Sequence, residues 1–217
     1  MRRVGYLFSF LAVVGALVLT VISQTEPYWL HVKTPSGLPA TISVGYGLYQ
    51  RCERQTMSDL PPWTSPKKGN GRYENYECHR FPGRSECDHD NGAFCALWDT
   101  AGYASQISLG FIVAALLALT VGGMTRERRR SQWKFVAALM FCHSVLQILT
   151  MSLVVHLWRT WDYPPFEYTN LSVSFYLNLA SWAFSLVIVG ALIITGIAAD
   201  AGHKWAAGNR AYRPIGG

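Results

Sequence analysis

The chain has 217 residues, of which 50% are hydrophobic and 15% are charged. The hydrophobic residues fall in long blocks rather than at the spacing of a soluble core, which excludes an ordinary soluble domain. The net charge of +6 does not indicate nucleic-acid binding, because no basic patch is interleaved with stacking aromatic residues.

Four apolar blocks reach the length of about 20 residues that a helix needs to cross a bilayer. They predict transmembrane helices at 4–24, 101–124, 135–157 and 171–199. The even number of spans predicts that both termini lie on one side of the membrane. The other segments are a large loop at 25–100, short connections at 125–134 and 158–170, and a tail at 200–217.

The distribution of charge predicts which side is cytosolic. The termini and the 125–134 loop together carry ten bases and two acids, whereas the other two loops carry nine bases and eleven acids. Short loops rich in Lys and Arg stay in the cytosol. We therefore expect both termini to be cytosolic and the 25–100 and 158–170 loops to face outward.

The first block has an alternative interpretation as a cleaved signal peptide, because Val21 and Ser23 are small enough for a cleavage site. Its apolar run from Val4 to Ile22 has 19 residues, whereas the apolar core of a signal peptide typically has about 7–15. We expect the block to remain as a membrane anchor.

The large loop is predicted to contain a small antiparallel β-sheet. Thr41–Gln50 and Arg72–Arg80 are rich in β-branched and aromatic residues, and Asn70-Gly71 suits a tight hairpin turn. From Ala93 to Gln106 the pattern favours a helix that runs into the second span. Because such a sheet is marginal alone, we expect disulfides and the helix ends to stabilise it.

Four of the five cysteines lie in the loop that is assigned to the outside, where disulfides persist. Their even number predicts two bridges, and the residues alone allow three connectivities. These cysteines are Cys52, Cys78, Cys87 and Cys95, while Cys142 lies alone in the third span.

Polar residues within the spans predict contacts between helices. His143 and Gln147 lie four residues apart and share one helix face, and Asn178 in the fourth span is a candidate partner. An ion or proton path is the functional alternative. We favour packing hydrogen bonds, because no acid or base lies within the spans to form a relay.

The second outer loop is short and aromatic, and it ends in a glycosylation sequon, Asn170-Leu171-Ser172, on the predicted outer side. Asn170 is therefore a candidate glycosylation site. Small residues in the fourth span, among them Ser181 and Gly190, allow close contact between helices.

A tryptophan, a Gly-Leu-aromatic triplet and cysteines in a large first outer loop resemble the claudin superfamily. This group includes the peripheral myelin and epithelial membrane proteins, the lipoma HMGIC fusion partner-like proteins and auxiliary subunits of calcium channels and glutamate receptors. The matching residues are Trp29, Gly47, Leu48, Tyr49 and Cys52, followed by a later cysteine. The Glu26–Trp29 segment also resembles the entry to the outer loop in the fusion partner-like branch.

The chain departs from the family pattern in two respects. Tyr49 replaces the family tryptophan, and 25 residues separate Cys52 from Cys78, whereas claudin cysteines lie close together. The longer insertion looks more like the auxiliary-subunit branch or the related fungal tetraspan families. The resemblance implies bridges between Cys52 and Cys78 and between Cys87 and Cys95. It also implies that the signature residues seat the sheet on the helices.

No catalytic constellation is present in the sequence, and we expect neither enzymatic activity nor a cofactor. His79 and the Asp88–Gly92 segment contain metal-capable groups, but they lack the run of ligands and the closing glutamate of a calcium loop. Extracellular cysteines at this spacing also favour oxidation over zinc binding. We therefore expect no metal site.

The expected fold is an α-helical membrane protein: a four-helix transmembrane bundle with a small, disulfide-stapled, extracellular antiparallel β-sheet. Its expected location is the plasma membrane, and its expected role is cell–cell contact, barrier formation or organisation of a membrane domain. The alternative is an auxiliary subunit of an ion channel or another membrane protein, and a small transporter is a weaker one. The expected partners are membrane lipids and either further copies of the chain or another membrane protein, but no nucleic acid.

Overall fold

The computed structural model describes residues 3–33, 40–57, 73–83, 86–87, 91–124, 126–160, 166 and 168–203. It contains four long helices and five strands. In chain order these are α1 (Arg3–Thr25), β1 (Leu30–Lys33), β2 (Ala40–Tyr46), β3 (Gln50–Met57), β4 (Tyr73–Arg80), α2 (Gly92–Met124), α3 (Arg126–Thr160), β5 (Asn170–Leu171) and α4 (Val173–Asp200).

All four helices are long and apolar enough to cross a membrane. At most 33% of the residues in each apolar window are buried within the protein, and large side chains such as Phe8, Leu117 and Val187 are exposed. Water would disfavour such extensive apolar surfaces, whereas lipid tails match them. The chain is therefore a multi-pass membrane protein.

Two helices extend beyond the predicted spans. The helix predicted from Ala93 and the second span form the single helix α2, which begins at Gly92. The segment predicted as a loop at 125–134 is helical from Arg126 onward, because it contains no Gly or Pro that would end a helix.

The chain divides into two compact units, and the first comprises residues 1–21, 104–148 and 179–217. All four helices contribute to its core, through residues that include Val13, Ile112, Met140 and Ile188. Polar groups also pair inside it, since the hydroxyl oxygens of Thr20 and Ser181 lie 2.8 Å apart. This unit is a four-helix bundle.

The second unit comprises residues 22–103 and 149–178 and contains the sheet. The strand order is β4-β3-β2-β1-β5, and every adjacent pair is antiparallel. The stretch predicted as one strand at Thr41–Gln50 instead turns at Gly47, whose N–H donates to the Gln50 carbonyl oxygen over 2.8 Å. The hairpin turn predicted at Asn70-Gly71 lies outside the described residues.

Two disulfides stabilise this unit. Cys52 and Cys78 are direct cross-strand neighbours on β3 and β4 and are bonded to each other. The second bond joins Cys87 to Cys95 in α2. Both pairings that the resemblance implied are confirmed, as is the fold class of four membrane-length helices with a small disulfide-stapled antiparallel sheet.

We expect Cys52→Ser to destabilise the sheet unit. The Cys52–Cys78 bond closes a loop with a sequence separation of 26, and its loss should lower the free energy of unfolding by about 3 kcal/mol. Thermal unfolding in detergent and surface biotinylation should show a lower transition temperature and retention inside the cell. Cys142→Ser is the matched control, because Cys142 is unpaired. Normal stability and surface delivery of the Cys52 variant would contradict this role.

Candidate functional site

Trp29 anchors the start of the sheet. Its ring is fully buried, and its indole N–H donates to the Ser23 carbonyl oxygen over 2.7 Å. The ring also meets that of Phe175 edge to face, with centroids 6.3 Å apart. Since Ser23 lies in the last turn of α1 and Phe175 in the first turn of α4, Trp29 ties β1 to both helix ends.

The segment before Trp29 is bound to the start of α4 through its backbone. The N–H groups of Ser172 and Ser174 donate to the carbonyl oxygens of Trp29 and Tyr28, each over 3.0 Å. The Ser174 hydroxyl donates to the Glu26 carbonyl oxygen over 3.2 Å. These hydrogen bonds give partners to the backbone carbonyl oxygens of a segment that is not part of a regular strand.

Two glycines in and beside β2 let this segment cross the sheet closely. A Cβ atom at Gly45 would lie 2.5 Å from the Pro27 carbonyl oxygen, and one at Gly47 would lie 2.8 Å from Pro27 Cα. Any larger residue would push the Pro27 backbone away. The role of Gly47 is therefore to leave room for the Pro27 backbone. Gly45 has the same role, which no sequence pattern indicated.

The turn after β2 is held against α2. The buried indole N–H of Trp98 donates to the Leu48 carbonyl oxygen over 3.2 Å, and the Tyr49 hydroxyl donates to the Gly102 carbonyl oxygen over 2.9 Å. Leu48 itself is 2% exposed. The signature triplet therefore fastens the sheet to a helix, and Tyr49 does so through a hydroxyl that tryptophan lacks.

An aromatic cluster fills the space beneath the sheet. The Phe81 ring meets the rings of Tyr46 and Trp98 edge to face, with centroid distances of 5.3 and 5.1 Å. Phe166, from the predicted second outer loop, packs 5.1 Å from Tyr46. Aromatic pairs of this geometry contribute about 0.5–1.5 kcal/mol each beyond the burial of their area. No local sequence pattern marks this cluster, because its members are dispersed along the chain.

One side of the sheet, here called the basic side, carries alternate residues of each strand. Cross-strand pairing places Lys33, Arg54 and Arg80 on it, with one acidic strand position, Glu74. A second acid, Glu26, precedes the segment that crosses this side at Gly45, and its charge acts on Tyr76. The Arg54 guanidinium lies 5.7 Å from the centroid of the Tyr76 ring. This side therefore combines an excess of bases with an exposed aromatic ring.

His31 also lies on the basic side, paired with Gly45. Burial, and secondarily the charge of Lys33, lowers the pKa of His31 below its ordinary value of 6.5. His31 is thus neutral at pH 7, so the positive charge of the basic side at that pH comes from Lys and Arg.

The opposite side of the sheet, here called the acidic side, has a different character. Its β1 and β2 residues cover the aromatic cluster, while Glu53 and Glu77 lie on it in β3 and β4. Arg51 contacts both Glu53 and Glu86, the latter over 3.3 Å. Glu77 lies 3.6 Å from His79, and both side chains are mostly exposed. Acids therefore outnumber the permanently charged bases here.

The two edges of the sheet are β4 and β5. The residues from Tyr76 to Arg80 in β4 are exposed. At the other edge, Asn170 is exposed and pairs with His31, so the candidate glycosylation site lies on the basic side. Its modification stays a prediction.

The polar residues of the third span bond to α2. The ring of His143 donates through Nδ1 to the Ser108 carbonyl oxygen over 3.1 Å, and the Gln147 amide donates to the Ser108 hydroxyl over 2.6 Å. Ser108, which no sequence pattern singled out, is thus a partner of both His143 and Gln147. Asn178 is also buried, and its pairing with these residues stays a prediction.

Within the described part of the chain, no three His, Cys, Asp or Glu side chains are placed to hold a metal ion. Asp88, His89 and Asp90, which carry metal-capable groups, lie outside the described residues. No protein-family model matches the chain, and no curated protein matches it. Membership of the claudin superfamily stays a prediction.

We expect Gly45→Ala to destabilise the sheet unit, because the added methyl group would collide with the Pro27 backbone. Overpacking of this kind costs about 1–3 kcal/mol. The thermal unfolding temperature in detergent should fall. Gly110→Ala is the matched control, since a Cβ atom there meets nothing within 4 Å and alanine favours a helix. Equal transition temperatures for the two variants would contradict the close approach.

Tyr49→Phe should remove the hydrogen bond to Gly102 while keeping the ring. The expected loss is about 0.5–1.5 kcal/mol, visible as a smaller decrease in unfolding temperature than that of Gly45→Ala. Tyr103→Phe should have no effect, because Tyr103 is 64% exposed. If Tyr49→Phe also leaves the transition unchanged, its hydroxyl does not help to hold the sheet.

Proposed function

We propose that this protein acts without catalysis at the plasma membrane, where its sheet faces the cell exterior and binds the sheet of another copy. Such contacts would serve cell–cell contact, barrier formation or the organisation of a membrane domain. One observation carries the proposal: the two sides of the sheet have opposite excess charge. The resemblance to claudins agrees with it.

The sheet has the rigidity that a contact surface needs. The hydrogen bonds of Trp29, Leu48 and Tyr49 fix it to the helix ends. The Cys52–Cys78 disulfide joins two of its strands, and the Cys87–Cys95 disulfide ties the following segment to α2. A preorganised surface loses little conformational entropy on association. Arg and Tyr, as found in Arg54 and Tyr76, are also enriched in the centres of protein interfaces.

The charge pattern favours contact between unlike sides. The basic side of one copy, with Lys33 and Arg54, complements the acidic side of the next, with Glu53 and Glu77. Because the two sides differ, such a contact is heterologous and produces a row or a ring of copies rather than a two-fold symmetric pair. Exposed ion pairs are individually weak and screened by salt. Stable association would therefore depend on many such contacts between copies in one membrane.

Charge reversal tests this contact. We expect Arg54→Glu and Glu77→Arg each to reduce crosslinking between copies in native membranes, because each places like charges in the contact. Co-expression of the two variants should restore crosslinking, since the glutamate at position 54 of one variant then meets the arginine at position 77 of the other. Added salt should weaken the wild-type contact.

Arg159→Glu is the matched control, because it reverses an exposed base at the end of α3. Loss of crosslinking in this variant, or failure of the co-expressed pair to recover it, would contradict the proposed contact.

An auxiliary subunit is the second candidate function. Gly110 in α2 and Gly190 in α4 lie where a Cβ atom would meet nothing within 4 Å, which leaves shallow notches on the helix surfaces. Small residues let another transmembrane helix approach closely. Purification in mild detergent distinguishes the two: a single stoichiometric channel or transporter favours the auxiliary role, whereas recovery of the chain alone in large assemblies favours self-association.

A further inference from the structure

A cavity lies in the helix bundle and is lined by all four helices. Leu119, Val136 and Leu192 form its apolar walls, and Tyr6, Ser9, Gln132 and Trp133 supply its polar groups. The hydroxyls of Tyr6 and Ser9 already donate to the carbonyl oxygens of Leu119 and Gly5. The cavity is partly open to the surface and has room for about one water molecule.

Two buried polar atoms at this cavity have no hydrogen-bond partner among the described residues: the side-chain oxygen Oε1 of Gln132 and the indole Nε1 of Trp133. The first is an acceptor and the second a donor. A buried polar group without a partner is costly, and more so beside lipid tails. The site therefore needs a group that both donates and accepts.

Both side chains pack directly against glycines on neighbouring helices. A Cβ atom at Gly122 in α2 would overlap the Gln132 side chain, and one at Gly196 in α4 would overlap the Trp133 ring. The Lys134 ammonium group lies 5.5 Å from the centroid of the Trp133 ring. Gln132 and Trp133 are thus closely packed against α2 and α4.

The cavity lies at one end of the membrane spans. Tyr6, which also lines it, is the second residue of the first span, and Gln132 is the first residue of the third. Tryptophan and tyrosine at span ends are typical of the level at which polar lipid groups meet hydrocarbon. Because the cavity is partly open to the surface, a ligand there can place its polar group in the cavity while its hydrocarbon body stays in the surrounding bilayer.

We propose that Gln132 and Trp133 bind the free hydroxyl group of a neutral membrane lipid. The hydroxyl donates to Gln132 Oε1 and accepts from Trp133 Nε1. A phosphate group is too large for the space of one water molecule, and the lining contains no charged side chain. Sterols and diacylglycerols share the required chemistry, and the site is independent of the contact between sheets.

The test uses the full chain in phosphatidylcholine nanodiscs with two photoreactive probes, a diazirine sterol with a free 3-hydroxyl and a diazirine diacylglycerol. We expect at least one probe to label the bundle, and Gln132→Leu and Trp133→Phe to reduce that labelling about fivefold to tenfold through loss of one hydrogen bond. Trp182→Phe is the matched control, since it removes another buried indole N–H from the bundle but does not line the cavity.

A competition experiment on the wild-type chain covers the case in which a variant fails to fold. Excess unlabelled lipid with a free hydroxyl should displace the probe, and its methyl ether, which cannot donate, should not. Selective labelling by the sterol or by the diacylglycerol identifies the source of the hydroxyl. Equal competition by the ether, unchanged labelling of a folded Trp133→Phe chain, or no labelling by either probe would overturn the proposal.

Discussion

The hydrogen bond from the Trp29 indole to the Ser23 carbonyl is the constraint on which the sheet unit depends. A helix ends with four carbonyl groups that its own backbone does not satisfy, and Ser23 supplies one of them at the buried end of α1. Its donor is a side chain six residues later, so the chain folds back immediately after the helix. Pro27 is thereby brought across β2, where Gly45 and Gly47 leave room for it.

The other contacts of the sheet unit extend this arrangement to the remaining helices. At the start of α4, the N–H groups of Ser172 and Ser174 donate to carbonyl oxygens of the folded-back segment. The turn after β2 is bound to α2 by the hydrogen bond from the Trp98 indole. The aromatic cluster then fills the space that these bonds enclose. A surface made largely of polar strands is in this way held by the aromatic cluster beneath it and by the segment that crosses Gly45, while Lys33, Arg54 and Arg80 on its basic side stay exposed.

The sequence predicts those parts of the fold that depend on composition. Long apolar blocks are sufficient to identify four spans, and the pattern from Ala93 also predicts the start of α2. The polar start of α3 lacks such a signal, so that helix was predicted too short. The strand β3 is polar on both sides and is stabilised by pairing with two neighbours, which no local pattern reveals. Likewise, Gly45 and Ser108 matter only through contacts with distant residues, whereas the Trp29 signature and both disulfides followed from the family resemblance.

The Cys52–Cys78 bond has a consequence beyond stability, because it joins directly opposed residues of β3 and β4. In an antiparallel pair, a slip of one residue exchanges the two sides of a strand. A slip of β4 would carry Glu77 to the basic side and Arg80 to the acidic side, and the polarity of the surface would largely cancel. The covalent bond forbids that slip. It therefore preserves the electrical asymmetry of the sheet as well as its shape.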